Sequence, residues 1–545
     1  MLQRPKQNFP SRKYQHRYVI PAGVEMDAPT LDAGGLYRFI VGRDSIPHDL
    51  RGGATPPPLG DPFARLILLN AAPAPVTVRT LLDRLDSLNA DPRGLTHQDF
   101  FVIADGGQIP WSDETDALQR NFRFVVVRRG SAASQPDLFV SASTDLDSSS
   151  AFLQVIGWDD VAGAFQFYER RDEAWVWAGS SWDALSDDAR GHGPFDSHVN
   201  GALNMKELKA PWIHWHSQAA AIPDAALAPN DPLRVEAIWT RRAQAENLEL
   251  LVRASVRRWT EARLDRLTAG GSITNLRSAL RQVLDTSTVN LVSSAVSRNA
   301  LNQAREITLP ITFFFDADAL VGVLELEPAV TRPVVPASVY NEMLETFEVE
   351  ITDGRISLRG DTHFVFLVPE PAFEDVLLLQ MLLDRKVLSR KLAAAMLMLD
   401  FENAVFSRRR RSLLRYVPEQ ATPGNPATFD SEFVTAITHS PEVGRPGTPE
   451  YELLANWNLP DSTWESEYAR RIEAFMRSVS ARSATATDFT PIFLLAESRR
   501  REFRKRPLAE FRLTTPKTNI AEDAELLEFA PDGNVRPKNT AIAIS

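Results

Sequence analysis

Short apolar runs separated by Gly, Pro and Asp dominate the first third of the chain. Such runs, rich in Val, Ile and Phe and bounded by turn residues, are typical of β-strands. They cover residues 36–41, 64–69, 100–104, 122–127, 138–141, 152–158, 164–168 and 173–178. The segment 159–163, with two Asp and a Gly, predicts a hairpin turn. The last three runs are therefore expected to form a meander, and only 76–89 has helical spacing in this region.

Helical spacing of apolar residues becomes frequent after residue 246. It predicts helices at 248–267, from a cap at Ser272 or Thr274 to about 297, and at 371–386, 389–399 and 462–479. Strands are predicted at 311–315, 321–326, 347–351 and 363–368. The expected class is α+β, with a β-rich N-terminal half of antiparallel meander and hairpins, followed by a mixed region with several buried helices.

Changes in texture suggest where the chain divides. We expect seven sections, namely a tail or arm at 1–35, a β-rich domain at 36–245, a helical segment at 246–305, a mixed α/β region at 306–420, a linker-like connection at 421–450, a C-terminal helical region at 451–516 and a polar tail at 517–545.

Composition narrows the possible functions. The chain of 545 residues contains no cysteine, which excludes disulfides, thiolate metal ligands and a cysteine nucleophile. Its net charge of −11 argues against a broad nucleic-acid surface. Residues 1–21 lack the apolar core of a secretion signal, and no run reaches the ~18 apolar residues of a membrane span. We therefore expect a cytoplasmic protein with no membrane partner and no nucleic-acid partner.

Histidine and tryptophan cluster in one segment. Four of the nine histidines fall within 25 residues, where even scatter would place about 0.4. These four are His192, His198, His214 and His216. Seven of the 11 tryptophans lie between residues 158 and 239. This segment is the first place to look for chemistry.

The spacing of His214 and His216 suits adjacent metal ligands. Pro211 is well placed to begin a strand, and alternate residues of a strand share a face, so both imidazoles would point the same way. His198, in a loop punctuated by glycines and Asn200, is the preferred third ligand. The next candidates for the ligand set are His192, Asp196 and Glu207. Such a shell suits iron best, with zinc or copper as alternatives.

The expected activity is that of an O₂-activating, metal-dependent oxidoreductase acting on a small apolar or aromatic molecule. His198, His192 and Asp196 are the catalytic candidates, and the indoles would wall a dry substrate pocket. That pocket is assigned to Trp175, Trp177, Trp212 and Asn200. A metal-free site with His198 or His214 as general base stays open, as does simple packing of His against Trp in a β core.

Two alternatives come from other classes of protein. The Trp-rich segment could be the subunit interface of a homo-oligomeric assembly or binding protein. Alternatively, Asp316 and Asp318 follow an apolar run, as in metal-dependent sugar transferases, although a turn at a strand end explains them as well. No nucleotide cofactor is expected, because neither a Walker A motif nor G-x-G-x-x-G after a strand occurs.

The basic runs 408–411 and 499–506 are expected on solvated or salt-bridged faces. The first run has one further interpretation, in which it pairs with an acidic substrate or with a partner's carboxylates.

Overall fold

The computed structural model describes residues 31–51, 59–69, 73–88, 95–105, 121–203, 224–243, 245–286, 289–353, 356–361, 364–424, 427–505 and 516–539. Helices and strands both contribute substantially, so the protein belongs to the mixed α+β class.

One large sheet organises the chain up to residue 180. Its strands are β1 (Leu36–Arg38), β2 (His48–Asp49), β3 (His97–Asp105), β4 (Asn121–Arg129), β5 (Leu138–Ser143), β6 (Leu153–Asp159), β7 (Ala164–Arg171) and β8 (Ala174–Ser180). Strands β3 to β8 follow one another as an antiparallel meander, which confirms the predicted meander and the hairpin at 159–163. β1 adds to the far edge parallel to β8, with Leu36 opposite Trp175, and β2 pairs antiparallel with β1.

Both faces of this sheet are covered, which explains why its strands are apolar almost throughout. Phe124 and Val126 of β4 point into a first cluster, which also holds Phe63, Tyr168, Trp175 and helix α1 (Val78–Ser87). The intervening Val125 and Val127 point into a second cluster on the opposite face. Side chains that alternate along a strand therefore alternate between two cores rather than between core and water.

Helix α3 (Ala245–Thr268) covers the second face. Its residues Val252, Val256 and Trp259 are buried against that side of the sheet. Helix α2 (Ala237–Thr240) precedes it, and its Trp239 belongs to the first cluster.

The rest of the described chain is mainly helical, with small two-stranded ladders between the helices. The further helices are α4 (Leu276–Leu284), α5 (Arg298–Leu301), α6 (Ala337–Thr346), α7 (Phe373–Asp384), α8 (Arg390–Leu397), α9 (Arg408–Ser412), α10 (Thr428–Thr438), α11 (Pro449–Trp457), α12 (Trp464–Ala481) and α13 (Ala486–Arg504). The paired strands are β9 (Ile273–Thr274) with β16 (Gln420–Ala421), β10 (Val289–Val292) with β15 (Val368–Pro371), β11 (Glu306–Thr308) with β12 (Val334–Pro336), β13 (Glu350–Asp353) with β14 (Ile356–Arg359), and β17 (Leu527–Phe529) with β18 (Val535–Pro537).

Three predicted strands are wrong, because these short apolar runs form tight helical turns. Residues 64–68 and 318–323 are π-helical, and residues 311–313 form a 3₁₀ turn. An aspartate precedes each π-helical turn and stabilises it. The Asp61 carboxylate accepts hydrogen bonds from the amides of Phe63 and Ala64, and that of Asp316 accepts one from Ala319. Satisfying these amides favours the turn over an extended strand.

Regions expected to be irregular or differently folded also carry defined structure. The helix predicted to reach about residue 297 ends at Leu284, and β10 follows. Residues 421–450 include α10, whose Phe429, Phe433 and Ile437 are buried. The chain from 517 forms the β17–β18 hairpin, held at Phe529 by two hydrogen bonds with the Asn403 amide. Helix α13 was not predicted as a separate helix, although it lies within the C-terminal helical region expected at 451–516.

Within the described ranges, no helix combines the length and the apolar character needed to cross a bilayer.

Candidate functional site

The segment that follows β8 lies against the second face of the sheet. It starts with a 3₁₀ turn at Asp183–Leu185, where the Asp183 carboxylate accepts hydrogen bonds from the Ser180 amide (2.8 Å) and hydroxyl (2.7 Å). A second 3₁₀ turn, Gly193–Asp196, buries Phe195 edge-on against Phe167, with 5.3 Å between the ring centroids. These contacts fix the backbone that carries the candidate residues 192–200.

His198 is the best-defined candidate in this segment. Its backbone amide donates to the Pro194 carbonyl (3.1 Å), and its ring lies 5.3 Å from that of Phe167. Its Nδ1 is 3.0 Å from the carbonyl oxygen of Ala202. Because a carbonyl only accepts hydrogen bonds, Nδ1 carries the proton in this contact. This tautomer suits a metal ligand or a general base that acts through Nε2.

The other described candidates of the loop occupy different environments. His192 is exposed and precedes the second 3₁₀ turn, and Asp196 is half-buried at the end of that turn. Asn200 is buried, and its backbone carbonyl accepts a hydrogen bond from the Trp259 indole at 2.8 Å. The structure therefore places His198, Asp196 and Asn200 in one compact loop against α3, with His192 at its exposed start.

Trp175 and Trp177 lie in β8, and Trp175 points away from His198, whereas Trp177 packs against both clusters. Trp175 is fully buried in the first cluster, on the face of the sheet opposite to Phe167 and His198. Its indole N–H donates to the Pro75 carbonyl at 2.8 Å. Trp177 is half-buried and donates to the Gln166 side chain at 3.0 Å.

The remaining described indoles of the Trp-rich segment also have hydrogen-bond acceptors. Trp158 donates to Asp160 (2.7 Å), Trp182 to the Ala162 carbonyl (3.0 Å) and Trp239 to Asp224 (2.8 Å). None of the five described indoles in this segment is an exposed side chain. Their placement is that of packed and satisfied core residues, so an interface made by this segment would have to use Trp212 or Trp215.

Four candidates of the proposed centre fall outside the described residues. They are Glu207, Trp212, His214 and His216. Among the residues that the structure describes, no group of three or more His, Asp or Glu side chains is arranged to hold a metal ion. A metal centre at His198 therefore depends on ligands from 204–223.

The environment of Asp316 differs from the one expected for a sugar transferase. The apolar run before it is a 3₁₀ turn, and the Asp316 carboxylate accepts the Ala319 amide at 3.0 Å. A strand that ends at Asp316 and Asp318 was expected to present both carboxylates to a metal. In this part of the structure a helical turn, Asp318–Val323, follows Asp316 instead.

The basic runs were expected on solvated or salt-bridged faces, and they contain buried arginines, of which Arg500 is salt-bridged to Glu497 at 2.7 Å. Arg499, Arg500 and Arg501 of α13 are only 2–4% exposed, and Arg410 of α9 is 4% exposed. Burial lowers the pKa of Arg499 to about 10. A signal was present in the sequence, because Arg499 stands three and four residues after the buried Ala496 and Leu495 on one helix face.

Comparison with known proteins gave no relative. No family model matches the chain, and neither a curated protein nor a solved structure matches it.

Proposed function

We propose that the chain is a metal-dependent oxidoreductase of the O₂-activating type, with a centre built from His198, His214 and His216. The observation that carries the proposal is the 3.0 Å contact between His198 Nδ1 and the Ala202 carbonyl, which sets the tautomer that a metal ligand needs. His214 and His216 contribute through their sequence spacing alone. Asp196 and Glu207 are the carboxylates that could complete or orient the set.

Iron is the metal we favour, with zinc or copper as alternatives, because imidazole and carboxylate ligands suit all three. A bound iron with open coordination positions would supply O₂ activation. The protein's part is to hold His198 in one tautomer and to pack one side of its ring against Phe167, which is itself packed against Phe195. The proposed substrate is a small apolar or aromatic molecule, because the segment is rich in aromatic residues. Trp177 and Trp212 are the candidates for the wall of the substrate pocket.

The proposal includes the cellular compartment of the protein. The absence of cysteine from all 545 residues fits a reducing compartment, and we propose a cytoplasmic protein.

A test of His198 has a matched control in the same chain. The exposed His439 also holds its Nδ1 near a carbonyl, that of Thr435, at 2.8 Å. We expect His198→Gln to lower the bound iron, and O₂ consumption with it, by at least tenfold. Removal of a metal ligand or of its orienting partner typically weakens binding by one to two orders of magnitude. His439→Gln should leave both unchanged.

Full iron content in folded His198→Gln protein would contradict the assignment of His198 as a ligand. If the variant kept its metal but lost activity, His198 would be a general base instead. Circular dichroism and sizing of both variants separate these outcomes from misfolding.

A further inference from the structure

A small polar cavity lies between the 400–409 turn, α13 and the C-terminal hairpin. It encloses about 40 Å³. On the scale where one water needs roughly 10–15 Å³, this is room for about three waters, or for one oxyanion of four or five heavy atoms that displaces them. The cavity is therefore large enough for a small ligand and too small for a nucleotide.

Positive charge predominates in the cavity lining. The cationic side chains are Arg408, Arg409, Arg499, Arg536 and Lys538. The anionic side chains are Asp400, Glu502 and Glu528. Five positive and three negative groups give a formal charge of +2, in a chain whose total is −11. The lining thus opposes the overall sign of the protein, which favours an anionic ligand.

The carboxylates of the lining are already engaged within the chain. Glu502 accepts a hydrogen bond from Lys538 at 2.6 Å, and Glu528 accepts one from Arg536 at 3.0 Å. Asp400 accepts hydrogen bonds from the Asn403 amide and the Ser407 hydroxyl, at 2.8 and 2.5 Å. Asp400 and Glu502 nevertheless lie close enough to stabilise the charge of Arg499 in part, without a direct hydrogen bond to it.

Arg499 is the buried cation of this cavity, only 4% exposed. Within the described part of the chain, its guanidinium hydrogen bonds go to neutral oxygens, namely the carbonyls of Phe313 and Glu402 and the side chain of Asn403. None of these hydrogen bonds goes to a carboxylate, so a bound anion would give this buried guanidinium a direct counter-charge and lower the cost of its burial. Arginine is also the side chain best suited to hold carboxylate or phosphate oxygens.

We infer that this cavity binds a small oxyanion, either inorganic phosphate or a short carboxylate, with Arg499 as its buried anchor and Arg536 at the exposed side. The site is remote in sequence from the His198 loop and does not depend on the proposed metal centre. The chain would then have two ligand sites, one for a metal cation and one for an anion.

The test is calorimetric titration of the full-length protein with inorganic phosphate and, separately, with acetate, in chloride buffers of matched ionic strength. We expect saturable binding of at least one of the two. Binding should weaken about tenfold in Arg499→Gln and in Arg536→Gln, since each removes a charge-assisted hydrogen bond. Arg536 is about half exposed, so its variant should fold even if Arg499→Gln does not.

Two further variants test whether the charge of the cavity lining determines anion binding. Glu528→Gln removes a negative charge from the lining and should tighten binding several-fold. Arg470→Gln is the matched control, because Arg470 is an exposed arginine paired with Glu467 and outside the cavity lining. It should leave binding unchanged.

Absence of saturable binding for both anions would overturn the inference and leave a cavity that holds only water. Equal weakening in Arg470→Gln and Arg536→Gln would also overturn it, because binding would then reflect general surface charge. The titration is repeated on His214→Ala/His216→Ala protein, where oxyanion binding should persist. Failure of the metal centre and failure of this site can thus be told apart.

Discussion

The Asp61 carboxyl offers a quantitative test of the buried contacts beneath the sheet. Asp61 is fully buried and accepts hydrogen bonds from the Tyr168 hydroxyl and from the amides of Phe63 and Ala64. Burial raises its pKa from 3.8 to about 6, and the nearby charge of Asp159 adds to the effect, whereas the hydrogen bonds oppose it. The folded protein therefore holds this proton more tightly than the unfolded chain does.

The sign of the pH dependence follows directly. A carboxyl with a raised pKa in the folded state stabilises the fold below the pKa of the unfolded chain, and that stabilisation is lost as the pH rises to the folded pKa. The window lies between pH 3.8 and about 6. At 1.36 kcal/mol per pH unit, the loss amounts to about 3 kcal/mol. Asp61→Asn replaces the carboxyl with a neutral group of the same shape and removes this dependence.

The assay is urea unfolding at several pH values from 4 to 7.5, followed by tryptophan fluorescence. Trp175 is a suitable probe because its ring lies 4.7 Å from that of Phe63. The free energy of unfolding of Asp61→Asn, relative to the wild type, should rise by about 2.5 kcal/mol across this range, since part of the loss already lies below pH 4. The exposed Asp83 of α1 provides the control, and Asp83→Asn should run parallel to the wild type. Parallel curves for Asp61→Asn as well would refute the reasoning.

Two further substitutions test other buried contacts by urea denaturation. Gly42→Ala should cost about 2–4 kcal/mol, because Gly42 has a φ of +90° and an added Cβ would lie 1.9 Å from the Asp188 carbonyl oxygen. Gly270→Ala is the matched control. Its added Cβ has no atom within 4 Å, so it should change the free energy of unfolding by less than about 0.5 kcal/mol. Equal losses of stability in Gly42→Ala and Gly270→Ala would contradict the account. Arg500→Met should cost about 3–5 kcal/mol, because it leaves the buried Glu497 carboxylate without the guanidinium 2.7 Å away, and a loss below about 1 kcal/mol would contradict this.

The strands of the large sheet, apart from the short exposed β2, were predictable because each contains an apolar run bounded by turn residues. Phe124 and Val126 serve one core, and Val125 and Val127 serve the other. That two-sided burial produces the continuous apolar runs seen in the sequence. The parallel addition of β1 beside β8 is set by contacts distant in sequence and leaves no local signal.

The three short runs that form turns show where local pattern is insufficient. An apolar run of five or six residues fits a buried strand and a buried helical turn equally well. At two of the three runs, nearby backbone amides donate hydrogen bonds to Asp61 or Asp316 and favour the turn. The sequence does not show which amides those carboxylates will reach.

The candidate site was predictable in its residues but not in their arrangement. The clustering of histidine led to His198, whereas its hydrogen bond to Ala202 depends on the conformation of the loop. Trp175 shares the same dense segment, but the pleat of β8 directs it to the opposite face of the sheet. Closeness in sequence is thus a weak guide to closeness in space when a strand lies between two cores.

The metal content of the purified protein tests the central proposal most directly. Elemental analysis would compare untagged wild-type protein with the His214→Ala/His216→Ala double variant. We predict near-stoichiometric iron in the wild type, or zinc or copper in its place, and loss of that metal from the double variant while the protein stays folded. Metal absent from both preparations, or retained in full by the double variant, would contradict the metal centre at His198, His214 and His216.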